Sequence, residues 1–257
     1  MTQVIAIDWS GRATGASEHI WAAIVDGGRL VALDNGRARP EVVADVIQAA
    51  KENDRTVVGF DFAFSFPAWY CTLRGWRSGR DVWHAMKAEA ESLIEACEPP
   101  FWGRAGTVAQ QLGPPLRVSD SQVGGSPKSV FQIGGAGAVG TGSLRGMRHL
   151  AELADAGFSI WPFDDPGWPR VVEIYPRLFT PGLVKNRHRE RREWMKRNFP
   201  NQDPVLIERA AGSEDALDAA ASALVMATQV EALENLPRAA ADAVERLEGA
   251  IWRPPRL

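Results

Sequence analysis

The chain has 257 residues, enough for one large domain or two small ones with a sizeable core. A hydrophobic share of 45% and a charged share of 24% are those of an ordinary globular protein, not of a disordered or fibrous one. A net charge of −3 and a pI of about 5.9 exclude a uniformly basic nucleic-acid binder, so any phosphate-binding surface has to be local.

In chain order, residues 3–8, 20–25 and 29–34 read as strands, the last two joined at Gly27-Gly28, a hairpin signal. Pro40 opens a helix over 40–51, whose Val42, Val43, Val46, Ile47 and Ala50 keep a helical period. Residues 56–62 return to strand, so the first and fourth strands can run parallel in a mixed α/β sheet. From 63 to 142 the pattern is irregular apart from a helix over 81–97, and it contains Pro99-Pro100, Pro114-Pro115 and a glycine-rich run at 134–142. The aromatic content of this stretch argues against disorder and predicts a large insertion serving as lid or substrate-binding region. A helix over 143–157 ends at Gly157, short strands follow at 158–163 and 170–175, and further helices fall at 186–198, 214–234 and 237–249. With no internal repeat and no clean linker, the layout is one domain over 1–257.

Ten tryptophans against two tyrosines is unusual. Trp9, Trp69, Trp76, Trp83, Trp102, Trp161 and Trp168 mostly flank loops, where they line a cleft or pack a rim. Cys71 and Cys97 form no CxxC and are expected as reduced thiols in a cytoplasmic protein. No leader-like segment is recognisable, and no apolar stretch reaches the ~18 residues of a membrane span.

The chemistry gathers on acids. Asp8 ends the apolar run VIAID, Asp61 ends TVVGFD, and Glu173 sits in RVVEIYP. Asp215 and Asp218 lie three apart at the start of the helical SEDALDAAASALVMA, on one face. A carboxylate in an apolar strand is a poor strand former and is costly to bury alone. Neighbouring parallel strands would hold such acids ~5 Å apart at the carboxyl edge, where open sheets bind ligands. Acids at that spacing repel; either they hold one or two Mg²⁺ or Mn²⁺, or some are protonated. The plainer reading of each position is a turn-starting Asp at a strand end and an Asp pair capping a helix.

Five motifs, IAIDWSG at 5–11, GFDFAFSFP at 59–67, FQIGGAGAVGTGS at 131–143, VVEIYPR at 171–177 and SEDALDA at 213–219, resemble those of domain-of-unknown-function family 429, predicted nucleases with a ribonuclease H-like fold. The resemblance runs over about 1–235. It implies a five-stranded sheet of order 3-2-1-4-5, flanked by helices, with Asp8 on the first strand and Asp61 on the fourth. Glu173 would then fall beside Asp61, as ligand, general base or substrate contact; the resolvase pattern of the superfamily needs no acid there. The implied chemistry is phosphodiester hydrolysis with two cations, Asp8 bridging, Asp61 on one metal and Asp218, with or without Asp215, on the other. The implied substrate is a nucleic acid or a smaller phosphodiester. Oligomeric state is left open.

Around these acids, Lys128 and Arg177 are candidate phosphate contacts. The segment KNRHRERREWMKR at 185–197 either steers a phosphate backbone or is a solvated, ion-paired helix face. Gly135, Gly137 and Gly140 spell GxGxxG, with Asp164 beyond. The preceding run is too short for a dinucleotide site, and a loop cradling a substrate phosphate, or a connector, fits better. His19, His84, His149 and His188 lack zinc-ligand spacing, and Ser10 and Ser65 lie in no nucleophile elbow. Two other functional classes share such a fold: a nucleotide-binding phosphotransferase or ATPase, and a binding module with little turnover.

Overall fold

The computed structural model describes residues 1–104, 110, 112–124, 127–135, 137–237 and 242–255. The chain runs β1 (Gln3–Asp8), α1 (Ala16–His19), β2 (Trp21–Asp26), β3 (Arg29–Asp34), α2 (Arg39–Glu52), β4 (Thr56–Phe60), α3 (Ala68–Leu73), α4 (Gly79–Ala96), α5 (Val118–Gln122) and α6 (Gly140–Asp155). It continues with β5 (Ser159–Ile160), β6 (Arg170–Glu173), a 3₁₀ turn (Pro176–Leu178), α7 (His188–Asn198), α8 (Pro204–Ala211), α9 (Glu214–Thr228), α10 (Val230–Glu234) and α11 (Ala243–Glu248).

The strands form one mixed sheet in the order β3-β2-β1-β4-β6-β5. β1, β2 and β3 pair antiparallel through the expected hairpin, and β1, β4, β6 and β5 are parallel. The expected five strands in the order 3-2-1-4-5 are not what forms. The strand expected at 158–163 shrinks to the two residues of β5, and the chain passes it to pair β6 directly with β4, leaving β5 as a sixth strand at the edge. The single helix expected over 214–234 is two, α9 and α10, broken at Gln229. The helix expected over 237–249 is described only as α11, since 238–241 lie outside the described residues.

Strand alternation sends side chains to two separate cores. Ile5 and Ile7 of β1, Val58 and Phe60 of β4 and Val171 of β6 meet α2, α4 and α6 on one face. Val4 and Ala6, Val57 and Val172 meet α9 on the other. α9 comes close because its buried face is mostly alanine: Ala216, Ala219, Ala220 and Ala223 are at most 1% exposed. The approach explains Gly59, where a Cβ would stand 2.8 Å from both Ile174 Cγ2 and Met226 Sδ. Ser213 caps α9, its Oγ accepting from Ala216 N at 3.0 Å. The segment expected as an insertion at 63–142 is, where described, built into the first core: Phe64, Phe66, Tyr70, Trp83, Phe101 and Phe131 are buried in it. No helix among the described residues is long and apolar enough to cross a membrane.

Candidate active site

Three parallel strands end side by side in acid. β1 ends at Asp8; Asp61 follows β4, its N–H donating to Ile7 O at 3.0 Å; β6 ends at Glu173, in register with Phe60. Alternation then separates them. Asp8 continues the series Val4, Ala6, and Asp61 the series Val57, Gly59, so both lie toward α9. α9 presents Asp218 and, one turn nearer its start, Asp215 to the same edge. Glu173 shares the opposite face with Phe60.

Asp8, Asp61, Asp215 and Asp218 are half-buried and feel one another. Desolvation pushes the Asp8 carboxyl well above its usual range, and repulsion from Asp61, Asp218 and Asp215 adds to it. Asp61 is pushed up to about 8, first by desolvation and then by Asp218. Desolvation also raises Asp218, although Lys185 opposes the rise. That lysine is the one cation bonded to the group among the described residues, its Nζ 2.5 Å from Asp218 Oδ1. Arg191, buried, fixes the Lys185 backbone by donating to its carbonyl at 2.5 Å, and ties the same loop to Ala211 O at 2.7 Å. Asp215 is turned toward His19, whose Nδ1 lies 3.1 Å from Oδ2.

On the opposite face the arrangement is reversed. Arg117, 1% exposed, holds Glu173 with two donors, Nη1 to Oε2 at 2.8 Å and Nη2 to Oε1 at 2.5 Å. The same guanidinium holds Asp120 through Nε at 3.1 Å and Nη2 at 2.8 Å. Phe64 N–H donates to Glu173 Oε2 at 2.9 Å. Each oxygen of Glu173 therefore already accepts at least one hydrogen bond. Burial still raises this carboxyl, but Arg117 pulls against the rise.

A cavity opens between the two groups. Its walls include Asp61, Glu173, Trp9, Tyr175, Lys128 and Gly142. Lys128 is exposed there, which puts a cation across from Asp61. Arg177 is exposed on the 3₁₀ turn, close enough for its charge to oppose the rise that burial imposes on Tyr175. Gly135 and Gly137 have φ of +81° and +73°, conformations that favour glycine, and both are exposed. Gly137 abuts the Lys128 side chain, its built Cβ position 3.3 Å from Cε, but neither glycine lines the cavity; position 136 between them is outside the described residues. The basic segment at 185–197 is mostly spent internally: Lys185 on Asp218, Arg191 on carbonyls, Arg192 and His188 on Glu208. Cys71 and Cys97 are free and buried, and burial pushes the Cys71 thiol up to about 11, where it is not a nucleophile.

Among the described residues, no three His, Cys, Asp or Glu stand at the spacing that grips a metal ion directly. The donor chemistry nevertheless suits a hard divalent cation: carboxylate oxygens on three elements, half-buried, mutually repelling and short of positive charge. Sequence reading missed Arg117 and singled out Lys185 only as part of a basic run. No protein-family model, curated protein or solved structure matches the chain.

Proposed function

We propose that this protein hydrolyses phosphodiesters with Mg²⁺ or Mn²⁺ held by Asp8, Asp61 and Asp218, on a ribonuclease H-like sheet. The observation that carries the reading is the excess of negative charge. At the carboxyl edge of a parallel sheet, Asp61, Asp218 and Asp215 add to the rise that burial imposes on Asp8, and Asp218 adds to that of Asp61, with Lys185 the one lysine or arginine bonded to the group among the described residues. A folded chain keeps such repulsion where a ligand relieves it. The succession β3-β2-β1-β4-β6, with the antiparallel and parallel senses it has, supports the fold reading; the two residues of β5 lie outside it.

A divalent cation bound there lowers the pKa of a bound water and offsets charge developing on phosphate oxygens. Asp8, which feels Asp61 and both aspartates of α9, would be the central ligand of the site. Asp218 would hold the cation in competition with Lys185, whose ammonium, where displaced, would be available to the substrate phosphate. Asp215 stands behind it, oriented by His19. Glu173 is left out of the ligand set; through Arg117 and Phe64 N–H it fixes the cavity wall beside Asp61. Lys128 across the cavity receives the phosphate, and Arg177 extends the positive side.

The test is hydrolysis of nucleic acids and of a chromogenic phosphodiester by purified protein in Mn²⁺. Asp8→Asn is expected to lower kcat by about two orders of magnitude or more, as loss of a metal's charge stabilisation requires. Undiminished cleavage of every accepted substrate by the variant rejects the assignment.

A further inference from the structure

Just beyond the acids the charge changes sign. The loop Ser10–Arg12 leaves the end of β1 and is wrapped by arginines from two helices. Arg39 of α2 donates to Ser10 O through Nε at 3.1 Å and Nη2 at 2.7 Å, and to Arg12 O at 2.6 Å. Arg145 of α6 donates to Gly11 O. Arg148 lies one turn further along α6, on the same side. The loop is pressed onto the start of α6, where a Cβ on Gly11 would lie 2.3 Å from Gly142 N.

The guanidiniums share too little negative charge. Glu91 of α4 feels Arg145, Arg39 and Arg148 together, yet its two oxygens are taken by Arg145, Oε1 by Nε at 2.8 Å and Oε2 by Nη2 at 2.7 Å. Behind them His149 is occupied with Glu152, 3.1 Å away. Arg148 is half-buried, and its Nε is sealed from solvent without any acceptor. Arg12 is exposed on the same loop, its carbonyl held by Arg39. A buried guanidinium N–H without a partner is costly unless something supplies an oxygen. Guanidinium clusters match oxyanions of tetrahedral shape, phosphate above all.

We infer that Arg12, Arg39 and Arg148 form an oxyanion site that receives a backbone phosphate of a chain substrate whose scissile group lies at Asp8 and Asp61. The inference rests on the phosphodiesterase reading for the second half of that statement only. Arg12 is four residues from Asp8, so their Cα atoms are at most about 14 Å apart along extended backbone. At about 3.4 Å per nucleotide step, that is a span of a few nucleotides. A polynucleotide reaches both, whereas a small phosphodiester uses the acid site alone.

The experiment is fluorescence anisotropy of a labelled single-stranded oligonucleotide with the full chain in EDTA, which prevents turnover, titrated over a range of salt. Arg148→Gln and, without risk to folding, the exposed Arg12→Gln are expected to weaken binding about three- to tenfold each. Each should also flatten the slope of log affinity against log salt by about 0.7, the share of one phosphate no longer neutralised. Glu91→Gln removes the competing carboxylate and is expected to tighten binding, which a merely structural role for the cluster would not do. Neutralising Lys196 and Arg197 on α7 serves as the control for net charge and leaves most of the affinity in place. Wild-type affinity in Arg148→Gln and Arg12→Gln, or a larger loss on neutralising α7, overturns the inference. If oligonucleotides do not bind but inorganic phosphate raises the Tm of wild type and not of Arg148→Gln, the cluster takes a free anion and the chain-substrate claim is overturned. Oligonucleotide binding that follows the cluster while no phosphodiester is cleaved sustains the inference and removes the hydrolytic reading instead.

Discussion

The two faces of one sheet edge treat their carboxylates in opposite ways. On the face toward α4 and α6, Glu173 and Asp120 are paired by one fully buried guanidinium, and every oxygen of Glu173 has a donor. On the face toward α9, Asp8 and Asp61 lie a single strand step away, and among the described residues Lys185, bonded to Asp218, is the one lysine or arginine in direct contact with the group. Burial alone does not distinguish the two groups, because desolvation is the leading upward push on Asp8, Asp61 and Glu173 alike. What differs is compensation. On the proposed reading, the compensated group holds the sheet edge and the uncompensated one is where a cation would bind.

The sharpest way to break the contrast is to remove Arg117. Arg117→Met strands two buried acids and is expected to cost about 3–5 kcal/mol, near 10 °C of Tm for a chain of this size, measured by thermal unfolding. A loss no greater than a surface substitution would show that the triad is not holding the edge together. The opposite sign is expected across the sheet. Asp61→Asn removes a repelling charge and should raise metal-free stability at pH 8 by about 1–3 kcal/mol in denaturant titration. A destabilised variant would mean that Asp61 is compensated after all.

The pH dependence follows from the same acids. Asp8, Asp61 and Asp218 have raised folded-state pKa values, so the native form keeps protons that the unfolded chain has lost. Their contribution to stability is complete below pH about 4 and is lost as pH climbs toward about 8, the value for Asp61. In EDTA, Tm should therefore fall between mildly acidic and mildly alkaline pH, and saturating Mn²⁺ should flatten the fall. A curve rising over that window contradicts the assignment. Lys185→Met is expected to tighten Mn²⁺ binding about tenfold, since the cation no longer competes for Asp218. Weaker binding would make Lys185 a support for the site and not a competitor. The smallest effect is expected from His19→Ala, whose partly exposed pair with Asp215 should contribute under about 1 kcal/mol by chemical denaturation.

Much of this was legible in the chain. Acids at the ends of VIAID and TVVGFD announce a strand edge, and the i, i+3 pair in SEDALDA announces a shared helix face. Even the separation of Glu173 follows from alternation: Asp8 is in phase with Val4 and Ala6, while Glu173 is in phase with Val171, on the other face. Adjacency puts Glu173 near enough to line one cavity with Asp61 and to add to its raised pKa, while phase turns the two side chains to different faces of the sheet. Arg117 was not legible, because it comes from a stretch with no periodicity and meets Glu173 across 56 positions of sequence. Lys185 was hidden inside a basic run from which Arg191 is spent on carbonyls and His188 and Arg192 on Glu208. The sixth strand escaped because two residues carry no pattern. Its neighbour β6 pairs with β4 through a register that only tertiary packing selects.

The central claim is that the α9-side acids bind a divalent cation, and isothermal calorimetry of Mn²⁺ with wild-type protein and Asp61→Asn tests it most directly. Saturable binding to wild type, weakened about tenfold or more in a variant whose metal-free fold is no less stable, is the outcome this account requires. Absence of binding to wild type at millimolar Mn²⁺, or equal affinity in both proteins, contradicts it.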